Sequence, residues 1–124
     1  MDISKKTEFD EISNIIGTLN IYSKGAKAGD SRVMQKAFHP LAQIYGQLEN
    51  ERFEHPIKTL FDYVDEHEPS QDLQFIIRSI DKSGEGASAR VEISNWHGHM
   101  FTDFFTLLKI DDRWLITNKI FITH

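Results

Sequence analysis

The chain has 124 residues, of which 40% are hydrophobic and 27% charged, and it contains no cysteine. This length and composition are typical of a globular protein, so we expect residues 1–124 to form a single domain. The net charge of −5 argues against a nucleic-acid-binding surface, because such surfaces neutralise phosphates with basic side chains. No segment has the ~20 consecutive apolar residues that span a bilayer. Without cysteine there are no disulfides or thiolate nucleophiles. We therefore expect a cytoplasmic protein that binds neither membrane nor nucleic acid.

The first part of the chain is predicted to form a long helix over Thr7–Lys27. Its apolar residues recur at three- and four-residue spacing, which is the period of a helix with one buried face. These residues include Phe9, Ile12, Ile16 and Leu19. Thr7 followed three residues later by Asp10 is typical of a helix start. Gly25 or Gly29 can end the helix in a left-handed conformation.

Three shorter elements are predicted next. Asp30 is placed to cap a helix over Ser31–Phe38, which His39-Pro40 ends because proline disfavours helix at the preceding residue. Ala42–Gly46 is predicted to be a strand. A third helix is predicted over Pro56–His67, since the missing N–H of proline costs nothing in a first helical turn.

The second half of the chain is predicted to form four consecutive strands. They are Asp72–Asp81, Ala87–Trp96, Met100–Ile110 and Trp114–Thr123. Simple alternation along the second of them places Trp96 on the same face as Arg90 and Glu92, opposite Val91 and Ile93. Helices followed by antiparallel strands indicate an α+β fold. The long first helix would cover the apolar face of the sheet.

The last two strands carry a motif found in a known superfamily. It consists of T-D-F at 102–104, L-L-K at 107–109, Trp114, Ile116 and N-K-I-F at 118–121. With the order of elements, it resembles the nuclear transport factor 2-like superfamily, also called SnoaL-like or ketosteroid isomerase-like. Within that superfamily the chain looks most like the family named putative lumazine-binding.

This resemblance implies a fold but not an activity. The expected fold is a curved antiparallel sheet wrapped around the N-terminal helix, a cone-shaped, cystatin-like α+β barrel with a pocket at its wide end. The resemblance also implies a homodimer through the outer face of the sheet. The superfamily includes isomerases, dehydratases, cyclases, hydrolases and plain binding or association domains, so the fold alone does not decide the function.

The ketosteroid isomerase chemistry of the superfamily does not match this sequence. Its catalytic base would be a strand aspartate after the second helix, and Tyr45-Gly46 stands there instead. Its late-strand acid falls nearest Thr106, and Tyr22 lies later on the first helix than the pattern requires. We therefore reject the isomerase interpretation.

Asp103 is the candidate catalytic residue. A carboxyl group flanked by Phe101 and Phe104 would have its ionised form disfavoured if it were desolvated, and could then act as a general acid or base. The alternative is a hydrated carboxylate at the end of the hairpin, or one paired with Lys119 on the neighbouring strand. Our hypothesis is that Asp103 and Lys119 line the mouth of the pocket and contact a polar group of a ligand.

His97 and His99 could ligate a metal together with Asp103 if all three shared one strand face. Gly98 between them favours a turn instead, where the histidines are exposed to solvent. We therefore predict no metal site, and no cofactor-binding motif is present. Ser83-Gly84-Glu85-Gly86 lacks the lysine and the following helix of a phosphate loop.

Seven residues are predicted to bind a ligand. They are Tyr22, His39, Tyr45, Trp96, Phe101, Lys119 and Phe121. The competing interpretation is that the aromatic residues belong to the core and that His39 bonds a free carbonyl at the end of the second helix.

Three functions remain open at this point. The first is an uncharacterised homodimeric protein that binds a small apolar or cyclic molecule between the helices and the curved sheet. The second is a cofactor-free acid–base enzyme of the isomerase, dehydratase or cyclase type that uses Asp103. The third is a non-catalytic association domain. Acids and bases that converge in one cavity would favour the enzyme. A cavity with one polar anchor would favour the binding protein, and a cone filled by side chains would favour the association domain.

Overall fold

The computed structural model describes the backbone of residues 3–124 and the side chains of residues 7–124. The helices of this region are α1 (Ile3–Ala28), α2 (Ser31–Met34) and α3 (Lys58–Glu66), and a 3-10 turn, Gln35–Ala37, follows α2. The strands are β1 (Phe38–Leu48), β2 (Glu51–Pro56), β3 (Gln74–Ser83), β4 (Gly86–Trp96), β5 (His99–Ile110) and β6 (Arg113–Thr123). None of the described helices is both long and apolar enough to cross a membrane.

The strands form one six-stranded sheet in the order β2-β1-β6-β5-β4-β3. The predicted meander, β3 to β6, is antiparallel throughout, whereas β1 pairs with β6 in parallel. The β1–β2 hairpin, whose first strand contains the predicted strand Ala42–Gly46, thus extends the four-stranded meander. The predicted α+β class and the curved sheet that packs against the first helix are confirmed.

Helix α1 is longer than predicted, and its buried side faces the sheet. Ile15, Leu19 and Tyr22 are fully buried there. The proposed start at Thr7 is wrong, because the helix already begins at Ile3. Of the two glycines considered for its end, Gly29 has the left-handed conformation, with φ of +63°.

Hydrogen bonds fix α1 against the β5–β6 hairpin. Thr18 Oγ1 donates to the carbonyl oxygen of Trp114 at 2.7 Å. The carboxylate of Glu11 accepts from Trp114 Nε1 at 2.8 Å and from Lys109 Nζ at 2.7 Å. Polar contacts two helical turns apart set the position of the helix along the sheet, and with it the position of Tyr22 further along.

The region around Pro40 differs from the prediction. Asp30 does cap α2, since its Oδ1 accepts from the N–H of Arg32 at 2.9 Å. The predicted helix, however, ends before Phe38, where β1 begins. Pairing of β1 with β6 is irregular between Phe38 and Gln43, and an irregular stretch of a strand tolerates the missing N–H of Pro40. Pro56 likewise ends β2 rather than starting α3.

Trp96 lies on the opposite face from the one predicted. The pairing of β4 with β5 shifts register between Ile93 and Trp96, and Asn95 has a left-handed φ of 59°. This bulge interrupts the two-residue alternation of the strand. Trp96 therefore turns into the core, where it is 4% exposed.

Candidate functional site

A small cavity lies between the concave face of the sheet and α3. Its volume is about 40 Å³, which is room for roughly three water-sized groups. The wall is almost entirely apolar and comes from β1, β2, α3, β4, β5 and β6. It consists of Ile44, Leu48, Phe53, Leu60, Tyr63, Trp96, Phe101, Lys119 and Phe121.

Strand alternation brings the polar residues of β5 and β6 to the inner face. Asp103 is paired with Phe121, and Phe105 with Lys119. Asp103 and Lys119 are thus diagonal neighbours on one face of two adjacent strands. Both are buried, with exposures of 0% and 2%.

Tyr22 connects these two residues from the opposite side. Its hydroxyl group donates to Asp103 Oδ2 at 3.0 Å and accepts from Lys119 Nζ at 2.7 Å. The direct distance from Lys119 Nζ to Asp103 Oδ2 is 3.7 Å, which is too long for a hydrogen bond. The arrangement is a chain of hydrogen bonds, from amine to phenol to carboxyl, and we call Tyr22, Asp103 and Lys119 the buried triad.

Aromatic rings surround the amine of the triad. Lys119 Nζ lies 5.0 Å from the ring centroid of Tyr22, 5.2 Å from that of Trp96 and 5.7 Å from that of Phe121. Trp96 and Phe121 also form the cavity wall together with Lys119. The amine is therefore placed in aromatic surroundings beside the cavity.

Burial shifts the protonation of the triad toward its uncharged forms. Burial raises the pKa of Asp103, although the charge of Lys119 and the hydrogen bond from Tyr22 oppose the shift. Burial lowers the pKa of Lys119 against the opposing charge of Asp103. Burial and the neighbouring Asp103 also raise the pKa of Tyr22 well above its usual value. Desolvation disfavours both charges, so burial moves this pair toward a neutral amine and a protonated carboxyl.

One oxygen of the triad has no partner. Asp103 Oδ1 is buried and accepts no hydrogen bond from any residue that the structure describes. A buried carboxylate oxygen without a donor is costly. A proton on this carboxyl group would reduce that cost, in agreement with the raised pKa.

The structure brings five of the seven predicted ligand-binding residues to one place. Tyr22 is in the triad, and Trp96, Phe101, Lys119 and Phe121 line the cavity. Asp103 is fully buried beneath them rather than at a pocket mouth.

The other two candidates lie elsewhere. Tyr45 is 43% exposed and borders a shallow groove at the β1–β2 hairpin. His39 accepts a hydrogen bond from the N–H of Leu41 at 3.0 Å through Nδ1, and does not bond a carbonyl at the helix end. Neither side chain lines the cavity.

Five wall residues were not predicted as ligand-binding residues. They are Ile44, Leu48, Phe53, Leu60 and Tyr63. Leu60 has the inward helical spacing of a core residue, but nothing local separates a residue that lines a cavity from one that fills the core. The acid that the structure places opposite Tyr22 is Asp103. The ketosteroid isomerase alignment put that acid nearest Thr106, which is exposed and bonds Thr117 at 2.8 Å.

The His97-Gly98-His99 segment lies only partly in the predicted turn, because His99 begins β5 and is half-buried. His97 and Gly98 form the β4–β5 turn, with φ of 50° and 81°. His97 stacks on His67 with ring centroids 5.6 Å apart, and its Nε2 lies 2.6 Å from the carbonyl oxygen of Glu68. Within residues 7–124, no three histidine or acidic side chains form a group that could hold a metal ion.

The fold and the cavity define a nuclear transport factor 2-like protein. A sequence model of the family described as "Putative lumazine-binding" matches residues 10–122, and the chain belongs to this family.

Solved structures agree with this classification. An NTF2-like protein of unknown function from Methylobacillus flagellatus KT is 40% identical, with a TM-score of 0.89 over 93% of each chain. A second, from Shewanella baltica OS155, is 38% identical, with a TM-score of 0.88 over 94% of this chain and 95% of that one. A ketosteroid isomerase-like protein from Erwinia carotovora atroseptica SCRI1043 shares the fold at 13% identity, with a TM-score of 0.70 over 91% of this chain and 95% of that one.

One curated protein with a named activity is also similar. It is the aldolase FrzH of Cladobotryum sp., which is 28% identical over 123 residues that cover 98% of each chain.

Proposed function

We propose that the protein binds a small, mainly apolar molecule in the cavity, with Lys119 as the polar anchor. The observation that carries this proposal is the buried amine in a wall that is otherwise apolar and aromatic. Pockets for small molecules combine such walls with a few polar groups that orient the ligand. The name of the family is consistent with a binding role.

The cavity volume limits what can bind. A cavity of about 150 Å³ holds benzene, and this one measures about 40 Å³. A ligand of about three heavy atoms fits the structure as it stands. Butan-1-ol enters with a small outward movement of the half-buried rim residues Leu48 and Tyr63, and a bicyclic ring such as a pteridine would require a larger one.

Titration with butan-1-ol, observed through the two tryptophan indole N–H signals in NMR spectra, tests this proposal. Trp96 borders the cavity, whereas the indole N–H of Trp114 is bonded to Glu11 away from it. We expect the Trp96 signal to shift in a saturable manner and the Trp114 signal to stay in place. Two unchanged signals up to the solubility limit would contradict the proposal.

A blocking substitution provides a matched comparison for the same titration. Leu48→Trp places a larger ring at the rim and should weaken binding of butan-1-ol at least about 10-fold, because lost apolar burial worth roughly 1.5–3 kcal/mol corresponds to about a 10- to 150-fold change in Kd. Leu41→Trp makes the same change at a residue that is 78% exposed and outside the wall, and should bind like the unsubstituted protein. Equal binding by both variants would place the ligand elsewhere.

A second candidate is acid–base chemistry on such a molecule, with Asp103 as the proton donor or acceptor. The favouring observation is the hydrogen-bonded chain from Lys119 through Tyr22 to Asp103. The similarity to a protein named as an aldolase supports the same candidate. No cofactor is required for proton transfer along this chain.

We also propose a homodimer through the outer face of the sheet. That face exposes large apolar residues on β1, β3, β5 and β6, more than isolated surface apolar groups require. They are Tyr45, Ile76, Met100, Phe104, Leu108, Ile120 and Ile122. A dimer that buries them is also the form that an association domain would take. The cytoplasmic location stays a prediction of the sequence.

Ile120→Glu tests the dimer. Ile120 is paired with Tyr45 and Phe104 near the middle of this face, and a charge there would be buried among apolar side chains. We expect a dimer by analytical ultracentrifugation for the unsubstituted protein and a monomer for the variant. Phe9→Glu, at an exposed residue of α1, should remain dimeric. A monomeric unsubstituted protein at micromolar concentration would overturn the proposal.

A further inference from the structure

We infer that Lys119 forms a Schiff base with small aldehydes or ketones that enter the cavity. This inference rests on the proposed binding function and specifies its ligand class. The amine is held by the Tyr22 hydroxyl at 2.7 Å and lies in the wall of an apolar cavity of about 40 Å³. That volume suits a carbonyl group with a short apolar substituent.

The surroundings of the amine favour an uncharged ligand. Asp103 Oδ2 lies 3.7 Å from Lys119 Nζ, and with both groups uncharged the wall offers an anionic ligand no counter-charge. Burying an unpaired anion against this apolar wall would be costly. A carbonyl compound avoids this cost, because it brings a polar atom without a charge.

Lys119 is also distinct among the lysines of the described side chains. Lys109 and Lys82 are ion-paired with Glu11 and Glu8 at 2.7 Å and 3.1 Å. The remaining described lysines are on the surface. They are Lys24, Lys27, Lys36 and Lys58. Among the lysines of residues 7–124, Lys119 alone combines full burial, a lowered pKa and a place in a cavity wall.

The buried triad supplies the protons that formation of the Schiff base requires. Neutral Lys119 Nζ attacks the carbonyl carbon, a C–N bond forms, and the carbonyl oxygen takes a proton that the nitrogen loses. For loss of the oxygen, the Tyr22 hydroxyl turns from Asp103 Oδ2 toward the departing oxygen and gives it a proton, and the carboxyl proton of Asp103, carried on Oδ2 in this arrangement, replaces the one that Tyr22 has lost. Water leaves, and the products are a protonated imine on Lys119 and the Asp103 carboxylate. The charge on both sides sums to zero, and no oxidant or reductant takes part.

Reductive trapping of the unsubstituted protein tests this inference. The protein is incubated with butanal and cyanoborohydride at about pH 6, where surface lysines are almost fully protonated, and the modified peptide is mapped by mass spectrometry. We expect Lys119 to be the labelled lysine, in addition to the α-amino group of Met1, whose ordinary pKa of about 7.7–8.0 leaves it reactive at this pH. Labelling spread over the surface lysines, with Lys119 unmodified, would overturn the inference without depending on any variant.

Two variants test separately the proton transfer through Tyr22 and the reaction at Lys119. Tyr22→Phe keeps the ring and removes the relay, and should slow labelling of Lys119 at least about 100-fold, the lower range for loss of a general acid. Lys119→Met should abolish the cavity label. Circular dichroism confirms that each variant is folded. A Tyr22→Phe protein that labels Lys119 at the unsubstituted rate would contradict the role of Tyr22.

The butan-1-ol titration and the butanal labelling together distinguish failure of this inference from failure of the proposed function. If butan-1-ol shifts the Trp96 indole signal but butanal leaves Lys119 unmodified, the cavity binds ligands and the Schiff base is wrong. If butan-1-ol does not bind and Lys119 is unmodified, both proposals are wrong.

Discussion

Asp103→Ala is expected to lower the free energy of unfolding by about 3 kcal/mol, through a lost hydrogen bond and a new cavity. The substitution leaves the buried hydroxyl proton of Tyr22 without its acceptor at 3.0 Å. It also removes a side chain that is fully enclosed. Chemical denaturation followed by tryptophan fluorescence measures the change.

Asp103→Asn is the matched comparison, because it keeps the shape of the side chain and an acceptor for Tyr22. If Asp103 is protonated and Lys119 neutral, this variant should cost no more than about 1 kcal/mol. If the two residues form an ion pair, the asparagine leaves a buried ammonium group without its counter-charge, which costs about 3–5 kcal/mol. A loss in that larger range would contradict the neutral amine on which the Schiff base depends.

Gly46→Ala is expected to destabilise the protein by about 2–3 kcal/mol, the upper range for overpacking. A Cβ at this residue would lie 2.5 Å from two carbons of the Phe121 ring and 2.6 Å from the carbonyl oxygen of Phe121. The ring cannot easily move aside, since it packs edge-on against Phe53 at 5.4 Å and Phe101 at 5.8 Å. Because Phe121 is part of the wall, binding of butan-1-ol should weaken as well.

Gly86→Ala makes the same change in β4, where the added methyl group would have its nearest neighbour at 3.7 Å. Loss of backbone freedom in the unfolded chain should make this variant neutral or slightly more stable. Thermal unfolding of both variants under one condition gives the comparison. Equal stability of the two proteins would show that the space beside Gly46 is larger than the structure indicates.

The sequence predicted the strands of the site better than it predicted the site itself. The strand patterns of residues 100–110 and 114–123 correctly put Asp103 and Lys119 on neighbouring strands, because the two-residue period of a strand can be recognised within a short stretch of sequence. It could not place Tyr22 beside them, since that contact joins residues 81 positions apart. The contact depends on how Glu11 and Thr18 fix α1 on the sheet.

Two local errors have a common physical cause. The alternation rule failed at Trp96 because of a bulge at Asn95, and the predicted strand Ala42–Gly46 began too late, because the irregular pairing of β1 with β6 lets the strand include Pro40. Both irregularities are set by pairing with a distant strand, which a short sequence window does not contain. The cavity volume is a result of packing between all these elements, so composition and periodicity gave no indication of its size.

An NMR titration of Lys119 tests the central claim, a neutral amine beside the cavity, most directly. Lysine labelled with ¹³C at Cε reports the protonation of each amine, and Lys119→Met identifies the signal of Lys119. We expect Lys119 to titrate clearly below the ordinary lysine value of about 10.4, in the direction that burial imposes. Titration together with the surface lysines would show a charged Lys119 and contradict the account.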